Sequence, residues 1–336
     1  RWLDLIGTLG GKWPHTGSIH PGGSTRAIDP AERLRLLTRV REFRQFLESE
    51  LFAAPLERIA GLASEDQLWA WYAEAPDQGD LRQFLRIVLD SGLEHLGQGP
   101  GLYLSYGAYP QADGTFVFGR GLWDAALGEV RPLWLEEIRE DASHAWLDDR
   151  PGPLHPAEGM TEPNLEKPAA YTWNKAPRLA GAVLETGALA RQLIHGQPLL
   201  RDAAARCGGS VYTRVLARLM ELARVVPLME DWLLALRPGD AYHQDCHLPD
   251  TGSAVGLTEA ARGALGHWLK VEHGRIASYQ IIAPTTWNFS PRDAQGRPGA
   301  LERALEGAPV RPGEQNPVAV QHIVRSFDPC MVCTVH

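Results

Sequence analysis

Apolar residues recur at helical spacing between residues 36 and 47, at Leu36, Leu37, Val40, Phe43, Phe46 and Leu47. Just upstream, Asp29 can cap a helix, Pro30 suits its first position and Glu32 completes a capping-box-like pattern, so a helix is predicted to start there. The preceding residues, 7–28, are rich in glycine, proline and serine and read as turns. Two further helices are predicted, from Ser64 to about Ala75 and from Asp80 to about Leu96. The pattern then changes. The segments 102–106 and 115–118 are short, aromatic and β-branched and are separated by Pro110 and Gly114, which predicts strands joined by turns. Residues 147–169 are crowded with proline and glycine and predict a long loop, a kind usually functional or packed on a partner. Residues 197–236 return to helical spacing, with Val211, Val215, Leu216, Leu219, Met220 and Leu222 in one stripe and Pro227 expected to bend or interrupt it. Residues 267–273 and 275–282 predict a hairpin around His273-Gly274, and a last helix is predicted from about Asn316 to Phe327. The expected fold class is α+β, mainly α: a helix-bundle core with small antiparallel β pieces. No repeat or confident internal boundary stands out.

Composition narrows the function classes. The 336 residues are 44% hydrophobic and 22% charged, as in an ordinary globular protein rather than a disordered or fibrous one. The net charge of −8 and the lack of a basic stripe argue against nucleic acid or an anionic membrane surface as partner. No run of apolar residues is long enough for a membrane span. Four cysteines, Cys207, Cys246, Cys330 and Cys333, are too few for a disulfide framework and suit a reducing compartment. The opening Arg1-Trp2-Leu3-Asp4-Leu5-Ile6 reads like the middle of a helix and has no signal-peptide pattern, so the expectation is the C-terminal part of something longer.

The sequence ends Asp328-Pro329-Cys330-Met331-Val332-Cys333-Thr334-Val335-His336. Thiolates three residues apart can turn toward one metal, and a histidine three residues later can face the same side. A c-type haem site requires His directly after the second Cys, and Thr334 stands there instead. A thioredoxin-like pair belongs at a helix N-terminus in a βαβ context, whereas this pair follows a helix. On the residues alone zinc leads among metals, although it needs four ligands and Cys207 and Cys246 are isolated. A pair of buried thiols beside a terminal His is the plainer alternative.

The ending DPCMVCTVH resembles the C-terminal signature, DPCxxCxxH, of the large catalytic subunit of [NiFe] hydrogenases. Further blocks follow that family's order: GGKWPHTGSIHPGG at 10–23, LSYGAYP at 104–110, GMTEPN at 159–164, YTWNKAPRLAG at 171–181, ETGALAR at 185–191, TEAARGALGHW at 258–268 and YQIIAPTTWNFSPRD at 279–293. The resemblance spans nearly the whole chain. The family's earlier RxCGxC block is not in this sequence, so the likeness is to the C-terminal half to two-thirds of a large subunit. GKWPHTGSIHPGGST is most similar to the cytosolic uptake and hydrogen-sensing subgroup, which implies a cytoplasmic protein and tilts the expectation toward a regulatory H2 sensor.

The resemblance implies a reaction, H2 ⇌ 2H⁺ + 2e⁻, at a nickel and an Fe(CN)2CO unit bridged by thiolates. Soft sulfur ligands suit both metals. Cys330 matches the terminal nickel thiolate and proton acceptor, and Cys333 matches the bridging thiolate. His336 and the backbone carbonyl of Ile281 match ligands of a separate Mg or Fe ion. Arg262 matches the guanidinium held over the open metal position, with Asp328 holding it, and Thr285 matches a donor to cyanide, with Ala283 and Pro284 lining the pocket. Two positions depart from the family: Ala261 stands where Pro is usual, and Ala283 where Val is common. Lys12, His15 and His20 are expected to organise a loop rather than act in chemistry, and His267 to be a satisfied buried histidine. His144, His155, Lys175 and Arg178 fall in matching blocks without an assigned role, while Cys207 and Cys246 read as ordinary thiols. The implied partners are an iron–sulfur small subunit, the remaining N-terminal half of the large subunit and, for a sensor, a histidine kinase. Two rival readings are a non-catalytic scaffold for assembling the Fe(CN)2CO unit and a zinc-stabilised interaction protein.

Overall fold

The computed structural model describes residues 2–18 and 21–331. It is an α+β fold in which the chain divides into two compact units, each built from separated stretches of sequence.

The first unit comprises residues 1–62, 70–86 and 219–249. Helix α1 (Asp4–Leu9) is followed by irregular chain and then α2 (Pro30–Phe46). The predicted capping box is present: the Asp29 carboxylate accepts from the Glu32 N–H at 2.7 Å, and the Asp29 N–H donates to Glu32 at 3.1 Å. That reciprocal pair satisfies two N–H groups the first helical turn would otherwise leave bare. One turn of π-helix, Leu47–Leu51, extends α2 before the short α3 (Leu56–Ala60). Trp71 is buried under the guanidinium of Arg82, 3.6 Å from the ring centroid, and Arg82 also donates to the Trp71 carbonyl at 3.0 Å.

Three helices cross between the sequence stretches of the two units: α4 (Glu65–Glu74), α5 (Asp80–Ser91) and α8 (Val211–Ala235). Helix α5 stops short of the predicted Leu96, because the chain turns at Gly92. The predicted helical region 197–236 is two helices, α7 (Pro198–Cys207) and α8, separated at Gly208-Gly209. A side chain at Gly209 would stand 2.3 Å from the Tyr103 hydroxyl, so the chain passes there only without one. Pro227 does not interrupt α8, which runs unbroken on both sides of it. The cost of one missing N–H is absorbed within a helix that keeps Met220, Ala223, Val226 and Leu233 buried.

The second unit holds residues 63–69, 87–218 and 250–336. Strands β1 (Leu102–Pro110) and β2 (Phe116–Asp124) form an antiparallel hairpin, longer than predicted, extended by β3 (Glu129–Arg131). On the other side β1 takes up a short parallel partner, β6 (Glu185–Thr186). Strands β4 (Ile138–Asp141) and β5 (Ala176–Leu179) make a second small sheet. Between them, residues 147–169 are irregular as expected, apart from one 3-10 turn at Pro156–Glu158. Lys167 ties this stretch down by donating to the carbonyls of Ala142 and Leu147.

Helix α6 (Ala188–His195), which the apolar pattern left unassigned, lies buried along almost its whole length. The predicted hairpin is a three-stranded sheet. Strand β7 (Gly252–Ala260) pairs with β8 (Gly263–Glu272), and β8 pairs with β9 (Arg275–Ile282). Strand β7 escaped detection because it is mostly exposed and carries two glycines, so it lacks alternation. His273 and Gly274, with φ of 52° and 68°, form the left-handed pair that a tight hairpin turn requires. Three short helices complete the unit: α9 (Pro284–Asn288), α10 (Ala300–Leu305) and α11 (Val318–Ser326). One apolar cluster draws together Leu104, Tyr106 and Leu122 of the first sheet, Ile138 and Leu179 of the second, and Ala264, Trp268 and Ile282 of the third, closed by Trp287 of α9. This core fixes the sheet ends and helix ends that carry the site.

Candidate metal centre

The site lies where α11 ends. The last turn hands over to Asp328, whose N–H donates to the Arg325 carbonyl at 3.0 Å. Asp328 has φ +53°, the left-handed conformation in which a helix commonly ends on glycine. Keeping a carboxylate there costs about 1 kcal/mol of backbone strain. The strained turn redirects the chain into Pro329 and Cys330.

Two cations face the Asp328 carboxylate. Arg262 Nε is 3.6 Å from Oδ1, and Arg218 Nε is 3.7 Å from Oδ2. Both separations exceed a hydrogen bond, and all three side chains are between one third and one half exposed, so the pairing is soft. Arg218 also donates to the carbonyl of Ser326. Burial lowers the Arg218 guanidinium from the usual arginine range, and Asp328 opposes that shift. The Cys330 N–H donates to the hydroxyl of buried Thr285 at 3.3 Å. Sequence-distant residues 218, 262, 285, 328 and 330 therefore meet at one place.

Each arm of this cluster is clamped by buried polar groups. Arg262 sits in the two-residue turn between β7 and β8. Arg191 of α6 grips that turn, donating to the carbonyls of Ala260 and Ala261 at 3.1 Å each and to Glu259 at 2.9 Å. Glu259 also accepts from the Tyr106 N–H at 2.7 Å. After the turn, Gly263 has φ +132°, and a Cβ there would lie 2.4 Å from Thr186 Oγ1. Thr186 in turn accepts from the Ala264 N–H at 2.6 Å. Asn288, at the end of α9, closes both backbone groups of Thr186, accepting from its N–H at 3.0 Å and donating to its carbonyl at 2.9 Å. This bond pair anchors α9 and with it Pro284 and Thr285. Ala283 precedes α9, and its N–H donates to Thr286 Oγ1 at 3.2 Å.

The α11 end is clamped by Arg214 on α8. Its guanidinium forms a bidentate pair with Glu185, at 2.8 and 2.9 Å, with both side chains about 3% exposed. It also donates to the carbonyls of Gly97 and Gly209, reaches Ser326 Oγ at 3.3 Å and stacks 3.8 Å from the Phe327 ring centroid. Arg214 and Arg218 escaped sequence reading. The available signal was two arginines four residues apart inside an apolar helical stripe, where a cation needs a specific partner.

The other residues singled out from the sequence are placed as follows. Ile281 lies on β9 opposite His267, with its side chain about half exposed. Cys333 and His336 lie outside the described residues, as does His20. His267 has the partner expected of it, Tyr279 Oη at 2.6 Å, but it is partly exposed on the outer face of the sheet rather than buried. Lys12 and His15 are exposed. Lys175 donates to Gln280 at 2.9 Å and lies 3.5 Å from buried Glu140. Burial raises the Glu140 carboxyl above the usual glutamate range, with Lys175 opposing. Arg178 is buried against Asp293 at 3.0 Å. The His144 ring meets the Arg292 carbonyl and the His155 ring the Leu135 carbonyl. Cys207 is half buried, its thiol pKa raised by burial, and Cys246 is exposed.

Residues 2–336 match the family model for nickel-dependent hydrogenase, and the chain belongs to that family. It is 31% identical over 353 residues to the periplasmic [NiFeSe] hydrogenase large subunit of Desulfomicrobium baculatum, covering 99% of this chain and 63% of that one. It is 33% identical over 285 residues to the uptake hydrogenase large subunit of Rhodobacter capsulatus, covering 69% of this chain and 47% of that one. The H2-activated, anaerobically purified [NiFeSe] hydrogenase of Dm. baculatum superposes with a TM-score of 0.82 at 30% identity, over 99% of this chain and 66% of that chain. The chain thus spans less than two thirds of the length of these relatives.

The donor chemistry fits the nickel that the family implies. Cys330 is partly buried, and a soft sulfur donor suits nickel better than a hard cation. Thr285 accepts from the Cys330 backbone, which leaves its hydroxyl proton available to a second acceptor. Among the described residues no three metal-ligating side chains converge, so Cys330 alone does not complete a site.

Proposed function

We propose that this chain is the C-terminal portion of a [NiFe] hydrogenase catalytic subunit and takes part in the heterolytic cleavage of H2 into two protons and two electrons. The observation that supports this best is that Arg262 faces Asp328 and Thr285 meets the Cys330 backbone, at the start of the same CxxC segment. Splitting H2 needs electron density withdrawn from an apolar bond while a base takes the proton. When bound, nickel and an Fe(CN)2CO unit would supply the Lewis-acidic, redox-active chemistry that side chains lack.

The chain's own residues do the rest. Cys330 and Cys333 would hold the metals, and the Cys330 thiolate would accept the proton. Arg262 presents a fixed positive charge to the reacting site, restrained by Asp328. Thr285 would donate a hydrogen bond from its hydroxyl to one cyanide, with Ala283 and Pro284 lining the pocket. His336 and the Ile281 carbonyl would hold a Mg or Fe ion near the end of the motif. Two further thiolates come from residues outside this sequence. The resemblance to hydrogenase large subunits supports an iron–sulfur small subunit as the partner that would take up the electrons. The subgroup resemblance favours a regulatory, H2-sensing role in the cytoplasm, signalling through a histidine kinase.

A second reading is a non-catalytic scaffold that assembles the Fe(CN)2CO unit. Elemental analysis of the purified complex, paired with H2-dependent reduction of a viologen dye, separates the two. Nickel and iron together with dye reduction are expected. Iron without nickel supports the scaffold, and zinc as the sole metal overturns both.

A further inference from the structure

We infer that Arg218 is a positioning residue for the metal-binding segment, acting through Ser326 and Asp328 to set where the Cys330 thiol points. The inference rests on the proposed metal-binding role of Cys330. Its support is geometric. Arg218 donates to the backbone at the end of α11, through the Ser326 carbonyl, and its guanidinium also faces Oδ2 of Asp328 at 3.7 Å. The closest approach of Arg262 is to the other oxygen, Oδ1, at 3.6 Å. With Arg262 alone, the carboxylate would be pulled to one side and free to rotate. With Arg218 in place, its two oxygens face two cations carried on different elements, α8 and the β7–β8 turn. The left-handed turn at Asp328 has no glycine to relax it. It persists only if surrounding contacts determine it, and Arg218 supplies one on each side of Phe327. Two residues later lies Cys330.

Arg218 is well suited to this. A guanidinium offers several N–H donors in a fixed plane, so it can serve a carbonyl and a carboxylate together, whereas an ammonium is a point charge on a flexible stem. Arg214, one turn earlier, anchors the same helix end more rigidly through Glu185, which leaves Arg218 to orient rather than to hold the fold.

The test compares wild type with Arg218→Gln and Arg218→Lys. In metal-free protein, the rate of Cys330 alkylation by iodoacetamide is followed by peptide mass spectrometry. Arg218→Gln is expected to raise that rate at least fivefold, and Arg218→Lys to give an intermediate value. In the metal-loaded complex, kcat for H2 oxidation is expected to fall at least tenfold in Arg218→Gln with KM for H2 within twofold of wild type, and Lys is expected to recover part of the loss. Alkylation and kcat within twofold of wild type in a folded Arg218→Gln would overturn the inference. So would an Arg218→Lys protein indistinguishable from wild type, should the Gln variant fail to fold. The alkylation arm needs no metal, so a failure of the hydrogenase reading would show separately, as wild-type protein lacking nickel.

Discussion

Replacing Arg214 by methionine removes a cation from the most heavily bonded buried position near the site. The side chain is about 3% exposed and serves Glu185 twice, the carbonyls of Gly97 and Gly209, the Ser326 hydroxyl and the Phe327 ring. Methionine fills much of the volume but satisfies none of these groups. The largest loss is Glu185, left as a buried carboxylate with no cation, a change that costs about 3–5 kcal/mol. The orphaned carbonyls add to this without summing simply, since they belong to one network. A loss of about 4 kcal/mol is a large share of the 5–15 kcal/mol that ordinarily holds a domain together. Adding Glu185→Leu removes the stranded charge, so the double variant should recover about 2 kcal/mol relative to Arg214→Met alone. Urea unfolding followed by tryptophan fluorescence at neutral pH measures both, and a coupling energy of about 2 kcal/mol or more is expected from the cycle. A single-variant cost below about 1 kcal/mol, or costs that add with no coupling, would refute the claim that this ion pair anchors the end of α11.

Gly263→Ala should destabilise by about 3 kcal/mol, because its Cβ would press on Thr186 in a backbone conformation that disfavours side chains; a thermal midpoint equal to wild type would contradict this. Glu140 is harder to ionise folded than unfolded, so the folded state holds an extra proton between the two pKa values and stability falls as pH rises from the ordinary glutamate value through the raised folded one. Glu140→Gln should remove that slope from a series of denaturation curves across acid pH, and an unchanged slope would assign it to other groups. Ala261 and Arg262 both keep negative φ, so the turn can accept proline at its first position. Ala261→Pro should leave stability intact while changing H2 turnover or tolerance to O2 at least twofold, and no change in either would remove the idea that this small residue sets access to the site.

Local patterns were legible where neighbouring residues settle the structure among themselves. The capping box at Asp29 and Glu32, the hairpin turn at His273-Gly274 and the helix leading to Asp328 all depend on residues a few positions apart. The family was equally readable, because the CxxC-and-His ending and the ordered blocks before it are local motifs that match the nickel-dependent hydrogenase family. Strand β7 and helix α6 were not legible. The first is exposed and glycine-containing, so it lacks alternation, and the second is only eight residues long and buries the polar Arg191 and Gln192 beside its apolar residues, which is too short a window for pattern reading to separate from its surroundings. Pro227 misled for a related reason: a helix breaker predicts a break, yet a well-buried helix can absorb one lost hydrogen bond.

By itself, the sequence determined the α+β class and the family, since these follow from composition, spacing and motif. Only the tertiary structure decided that Arg218 faces Asp328, that Arg214 and Arg191 clamp the two arms of the site, and that Thr285 meets the Cys330 backbone. Each of these joins groups far apart along the chain. Such pairings are set by how buried charges find partners once the sheets have packed, and no spacing in a linear sequence encodes that choice.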